Sequence, residues 1–194
     1  MMQFLRSFVL VMTVTSLAAN EARAAVPSWS VAKTPDTITW DGTEGGGKAF
    51  TGRCEAFDAE IAFDPADLEH SSVKVVIDMA SCLTGDTQKD AYLPQEGWFD
   101  VQAFPKAVFE ATKFRHEGGN KYVADGTLTL RGVMKPVNLP FSLDIDGAKA
   151  HVVGETTLKR LIFGVGASSQ LASSDVAGPD VRVKIDLRAT RNGG

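Results

Sequence analysis

Between Tyr122 and Asp146 apolar and polar positions alternate along the chain. Leu128 and Leu130 share one face before a glycine turn, and Val137, Leu139, Phe141, Leu143 and Ile145 share one face after it. Period two on both sides of Gly132–Val133–Met134–Lys135 predicts a β-hairpin. Pro136 and Pro140 have no N–H to give, which predicts an edge, a bulge or a strand end in the second arm. The same alternation places Phe57, Ala59, Ile61 and Phe63 on one face, and Val73, Val75, Ile77 and Met79 on another. It recurs at Ala107, Phe109 and Ala111 and, most regularly, at Val181, Val183, Ile185 and Leu187. Ser28–Lys33 and Thr37–Asp41 read as two short strands joined at Pro35-Asp36, and Ala150–Arg160 as a further strand. Thr84–Gly97 breaks the pattern and predicts a helical segment of a turn or two. Leu161–Ala177, rich in Gly and Ser, predicts an irregular lid.

Strands that are apolar on one face need a surface to cover that face. About eight to ten of them, with no long amphipathic helix and no internal repeat, indicate an all-β domain. The expected architecture is an antiparallel barrel of about eight strands, of the lipocalin type, with the short helical insertion across one end. A two-sheet sandwich is the competing arrangement.

The run Phe50–Phe63 pairs antiparallel with Ser71–Ser81 in a register that sets Phe63 against Val73, Ile61 against Val75, Ala59 against Ile77 and Phe57 against Met79. Every opposed pair on that face is then apolar, as a core face requires. The same register sets Cys54 opposite Cys82 on the other face, near disulfide reach. A disulfide is therefore expected, with two unpaired thiols as the alternative. There is no C-x-x-C spacing for redox chemistry.

The first two dozen residues read differently. Arg6 precedes the apolar run Phe8–Ala19, and Ala22-Arg23-Ala24 follows as a cleavage signal. Residues 1–24 are expected to be a cleaved secretory signal, and residues 25–194 a single exported domain in a compartment where disulfides persist. The apolar run is shorter than the roughly 20 residues that span a bilayer. The formal charge of the full 194 residues is −4, without a Lys/Arg cluster. Nucleic acid is thus not an expected partner, nor are anionic lipid head groups.

Candidate chemistry is sparse. Asp41–Lys48, DGTEGGGK, approaches a phosphate-binding loop, but Ala49 stands where Ser or Thr would hold magnesium, and a strand follows where a helix should. It reads as a hairpin loop. His70, His116 and His151 lie far apart, and no zinc spacing or G-x-S-x-G elbow occurs. Asp86, Asp90, Glu96 and Asp100 make a carboxylate-rich loop that helix caps and solvated charges explain. No catalytic residue, metal or cofactor is expected. What remains is apolar capacity, and alternation fixes a face without saying whether the space behind it is filled or hollow.

Five segments in order resemble the YceI-like family of lipocalin-like, polyisoprenoid-binding periplasmic proteins. They are AEIAFDP (Ala59–Pro65), VKVVIDMASCLTGD (Val73–Asp86), WFD with FPKAVFEAT (Trp98–Thr112), GTLTLRGVMKPVNLPF (Gly126–Phe141) and LKRLIFGVG (Leu158–Gly166). The resemblance implies an extended barrel around a long internal tunnel with no catalytic centre. It implies a binder or carrier of a long apolar chain: a polyisoprenoid, an isoprenoid quinone or a fatty amide. Some relatives are encoded with a membrane b-type cytochrome, so a non-catalytic module docking on such a redox partner is the alternative. The oligomeric state stays open, a dimer included. The cysteines are not part of the general family pattern. Arg131-Gly132 and Arg160 belong to the family's motifs, without an implied head-group contact. By alternation the lining would be Phe57, Ile61, Val75, Ile77, Met79 and Phe109, continued by Leu128, Leu130, Leu139, Phe141 and Leu158. Trp98, Phe99, Phe104 and Phe163 would form its rim or plug.

Overall fold

The computed structural model describes residues 25–34, 37–168, 170–173 and 176–193; the expected signal sequence and the Pro35-Asp36 joint lie outside the described residues. The strands are β1 (Ser28–Ala32), β2 (Ile38–Glu44), β3 (Lys48–Cys54), β4 (Phe57–Ala62), β5 (Ser72–Asp78), β6 (Cys82–Leu83), β7 (Lys106–Gly118), β8 (Lys121–Leu130), β9 (Val133–Asp146), β10 (Lys149–Lys159) and β11 (Asp180–Arg191). Among the described residues one α-helix, α1 (Thr87–Tyr92), occupies the expected break in the pattern. The hydrogen-bonded order β1-β4-β5-β7-β8-β9-β10-β11 closes through a β1–β11 pairing, which makes an eight-strand antiparallel barrel. Closure rules out the sandwich, because a sandwich keeps free edges.

The wall extends beyond that ring. Past its pairing with β1, β11 pairs with β2 over Arg182–Ile185, β2 pairs with β3, and β3 with β6. β1 and β2, β3 and β4, and β5 and β6 therefore act as the lower and upper halves of three long, bent strands. The hairpin turn between β8 and β9 is Arg131-Gly132, shorter than the expected four-residue stretch. Both residues have positive φ, 49° and 73°, the requirement of a tight two-residue hairpin. A Cβ on Gly132 would meet the Phe104 ring at 2.6 Å, so glycine serves there twice over.

The expected register needs correction. β4 and β5 pair as Ile61↔Val73, Ala59↔Val75 and Phe57↔Ile77, two residues away from the expected alignment. A shift of two keeps every side chain on its face, so the apolar pairing survives. Cys54↔Cys82 does hold, but in the separate β3–β6 ladder. Between the two ladders one strand passes through Glu55-Ala56 and the other through the turn Met79–Ser81, which absorbs the extra residues. This irregularity also reverses the expected face of the cysteines. Both are buried, packed with Phe57, Met79 and Ala107. The disulfide is formed, across a sequence separation of 28.

One junction in the ring is only half made. β9 pairs with β10 from Asp146↔Lys149 to Phe141↔Gly154 and no further, while β9 continues to pair with β8 back to Val133. The Leu143 N–H donates to the Asn120 carbonyl on the β8 side. By alternation the even positions of β9 then face β10, and Pro136 and Pro140 are both even. The edge that the prolines predict is present: they lie where β9 has no partner on its β10 side and where a free donor would invite one.

The disulfide closes a loop of 28 residues. Its loss should lower stability by about 3.5 kcal/mol on the chain-entropy scale. Urea unfolding of the Cys54→Ala/Cys82→Ala protein against the oxidised parent checks this; equal midpoints would mean that the β3–β6 ladder needs no covalent pin.

Candidate functional site

The apolar faces of the barrel strands do not meet at the axis. They enclose two abutting cavities of about 180 and 170 Å³. On the same scale one water needs roughly 10–15 Å³. Ile38, Ile77, Leu128, Leu158 and Val183 line both, so the two are segments of one elongated lumen. Among the described residues lining the first segment, the polar groups are the Thr156 hydroxyl and the Trp29 indole N–H. The second adds Thr43, the Trp40 indole and Arg160.

Most of the residues expected from alternation border one or both of these cavities. Ile61, Val75, Phe109, Leu139 and Phe141 face the first segment. Met79, Leu130, Trp98, Phe99 and Phe163 face the second, and Ile77, Leu128 and Leu158 face both. Two do not face the lumen. Phe57 is buried in solid core against the disulfide. Phe104 stands against the β8–β9 turn at Gly132.

Other lining residues escape the sequence pattern. Phe114 falls out of phase with Phe109, because a register shift in β7 between Ala111 and Lys113 turns it inward. Trp29 and Trp40 sit on strands too short to show a face. Trp29 donates its indole N–H to the Phe63 carbonyl at 2.9 Å. Around Phe63 the rings of Phe114, Tyr122 and Phe141 pack edge-on and fill that end of the barrel.

The opposite end is capped by α1 and the loop after β10. Arg160, 5 % exposed, holds this cap together. Nε donates to the Gly178 carbonyl at 2.9 Å, Nη1 to those of Val165 and Gly166 at 3.0 and 2.8 Å, and Nη2 to those of Leu171 and Ala177 at 3.1 and 2.7 Å. These account for all five guanidinium N–H donors. Burial lowers the Arg160 pKa from its usual value, yet the group remains a cation, with the Trp98 ring beneath it at 5.7 Å. Gly166 must be glycine, since a Cβ there would come within 2.4 Å of Nη1. Arg131 does related work: it donates to the carbonyls of Gly164 and Glu96 and joins the two cap loops. Both family-motif arginines thus staple loops, and Arg160 has no donor left for a ligand.

The carboxylate-rich loop is also committed to structure. Asp86 caps α1 by accepting from the N–H groups of Gln88 and Lys89, and the Lys89 hydrogen bond leads the causes that lower its pKa. Burial pushes the Asp90 pKa up, but donors from Thr84 and Gly85 outweigh it and the net shift is downward. The three histidines remain apart: His70 on Asp67, His116 stacked on Tyr122, and His151 on Asp186.

A closed barrel with an apolar lumen and polar groups tied up in its caps defines a class of hollow β-barrel proteins. Within that class the chain belongs to the YceI-like domain family, whose model matches residues 29–189. It is 36% identical over 143 residues to a UPF0312 protein of Photorhabdus laumondii, covering 69% of this chain and 74% of that one. A UPF0312 protein of Pseudomonas putida is 27% identical over 177 residues, 87% of this chain and 92% of that one. Among solved structures, Burkholderia cenocepacia BcnA superposes with a TM-score of 0.74 at 28% identity, over 81% of this chain and 100% of that one. A polyisoprenoid binding domain from Saccharophagus degradans, implicated in plant cell wall breakdown, shares the fold with a TM-score of 0.64 at 14% identity, over 87% and 99% of the two chains.

Replacing Arg160 by Met would leave five carbonyls without their donors in a buried cap. The expected cost is about 3 kcal/mol or more. Arg160→Lys should recover little of it, because an ammonium lacks the planar fork. Guanidinium unfolding measures both; a loss under about 1 kcal/mol for Met would mean that water takes over the staple.

Proposed function

We propose that this protein is a non-enzymatic binder and carrier of a long apolar lipid, a polyisoprenoid, an isoprenoid quinone or a fatty amide, held lengthwise in the barrel and working in the periplasm after export. The observation that carries the reading is the lumen itself, two abutting apolar cavities with hardly a polar group on the wall. Each methylene transferred from water into such a wall contributes about 0.8 kcal/mol. A chain ligand can therefore offset the cost of its own ordering and immobilisation. The S. degradans domain, named for polyisoprenoid binding, supports this ligand class, and the sequence Phe8–Ala24 supports export. The structural duties of Asp86, Asp90 and Arg160 favour binding over catalysis.

Native mass spectrometry of protein purified without detergent from a bacterial periplasm, followed by solvent extraction, tests the reading. An adduct that extracts as a polyprenyl chain, quinone or fatty amide is expected. Delipidated protein should bind all-trans-retinol, a fluorescent isoprenoid alcohol. Val183→Trp, which places an indole where the two segments meet, should weaken that binding by about tenfold or more while the fold persists by circular dichroism. A clean apo mass together with retinol affinity indifferent to Val183→Trp would defeat the proposal.

A further inference from the structure

The half-made junction between β9 and β10 breaks the wall beside the lumen. Carried past Phe141↔Gly154, the register would set Leu139 opposite Thr156 and Val137 opposite Leu158. All four side chains line the lumen, yet no backbone ladder joins the two strands there. Pro136 and Pro140 remove the donors with which β9 would close the gap.

A side chain closes it instead. After β10 the chain makes a 3-10 turn, Arg160–Phe163, and Phe163 is 1 % exposed. It forms a buried cluster with Leu128 and Val165, and Val133 and Val137 of β9 and Leu158 of β10 pack against that cluster, so the cluster reaches both lips of the gap. The turn is fixed at its start by the five hydrogen bonds of Arg160 and ends on Gly164, whose φ of +77° favours glycine. Outside the plug the surface is unusually apolar: Ile162 is 51 % exposed and Met134 is 63 % exposed. Parting a paired junction would break a row of backbone hydrogen bonds. Parting this one breaks no backbone ladder; it costs apolar contacts and, at the end of the turn, the Arg131–Gly164 hydrogen bond. The other routes run through the Phe63 aromatic cluster or the Arg160-stapled cap, both densely bonded or packed.

We propose that the unpaired stretch of β9 and β10 is a lateral portal through which a lipid chain passes between the lumen and the outside, with Phe163 as its plug. The portal rests on the reading of the lumen as a lipid site.

The experiment is stopped-flow transfer of all-trans-retinol from loaded protein to phosphatidylcholine vesicles. Phe163→Ala should speed release by about tenfold or more, with a smaller change in equilibrium affinity. That variant removes a buried ring and can fail to fold, so a second one keeps the test decisive. Asn138→Cys/Thr157→Cys places two thiols on the exposed faces of the two lips, opposite one another in the continued register. A short bismaleimide across them should slow release by about tenfold or more relative to either single cysteine capped alone. Retinol that binds normally, but leaves at the same rate with the lips free or tied, overturns the portal and spares the lipid reading. No retinol binding by any form of the protein overturns both.

Discussion

Everything in this barrel depends on closure of the backbone hydrogen-bond ring. Eight one-sided strands could bury their apolar faces by collapsing on one another, as a sandwich does. The β1–β11 pairing fixes the circumference, and a fixed circumference fixes the distance between opposite walls. Side chains of moderate size on those walls then fail to meet. The wall residues Val75, Ile77, Leu139, Leu158 and Val183 are only half-buried in a protein whose interior they face. The void is thus a product of strand pairing, and the chain's hydrophobicity alone would not maintain it.

A ring of strands has two ends, and each is managed differently. One is filled by rings around Phe63. The other is extended by β2, β3 and β6, pinned by the disulfide, and capped by loops with little regular structure. Loops leave carbonyls without partners, and Arg160 and Arg131 collect them. An arginine suits this work because its five donors leave a planar fork in fixed directions. Among the described residues, what surrounds the Arg160 charge is carbonyl dipoles and the Trp98 face, with no carboxylate in contact. A carboxylate there would satisfy the charge but leave the carbonyls unbound.

Alternation made the fold and much of the lining legible, since period two survives any register shift of two. That is why Ile61, Val75 and Ile77 were placed on the correct face through an incorrect pairing. Irregularities were not legible. The Glu55-Ala56 break and the turn at Met79–Ser81 leave no mark in composition, yet they put Cys54 and Cys82 inside the wall rather than outside it. The shift in β7 hid Phe114 for the same reason. Phe57 shows the opposite limit: it lies on the inward face, but the lumen ends before reaching it. The prolines of β9 carried their meaning openly, because a missing donor excludes a neighbour whatever the fold.

A hollow core has an energetic consequence that bears on dynamics. Side chains facing a void forgo dispersion contacts that a packed interior would supply. The apo barrel is therefore less stable than its strand pairing alone would make it, and the disulfide and the Arg160 staple offset part of that deficit. A chain that fills the lumen restores those contacts and stabilises the folded state in proportion to its occupancy. The gain is largest where the wall is least bonded, along the seam of β9 and β10. There the cluster of Phe163 with Leu128 and Val165 supplies contacts that elsewhere come from a neighbouring strand. The weakest part of the wall is thus also the part whose packing responds most directly to what the lumen contains.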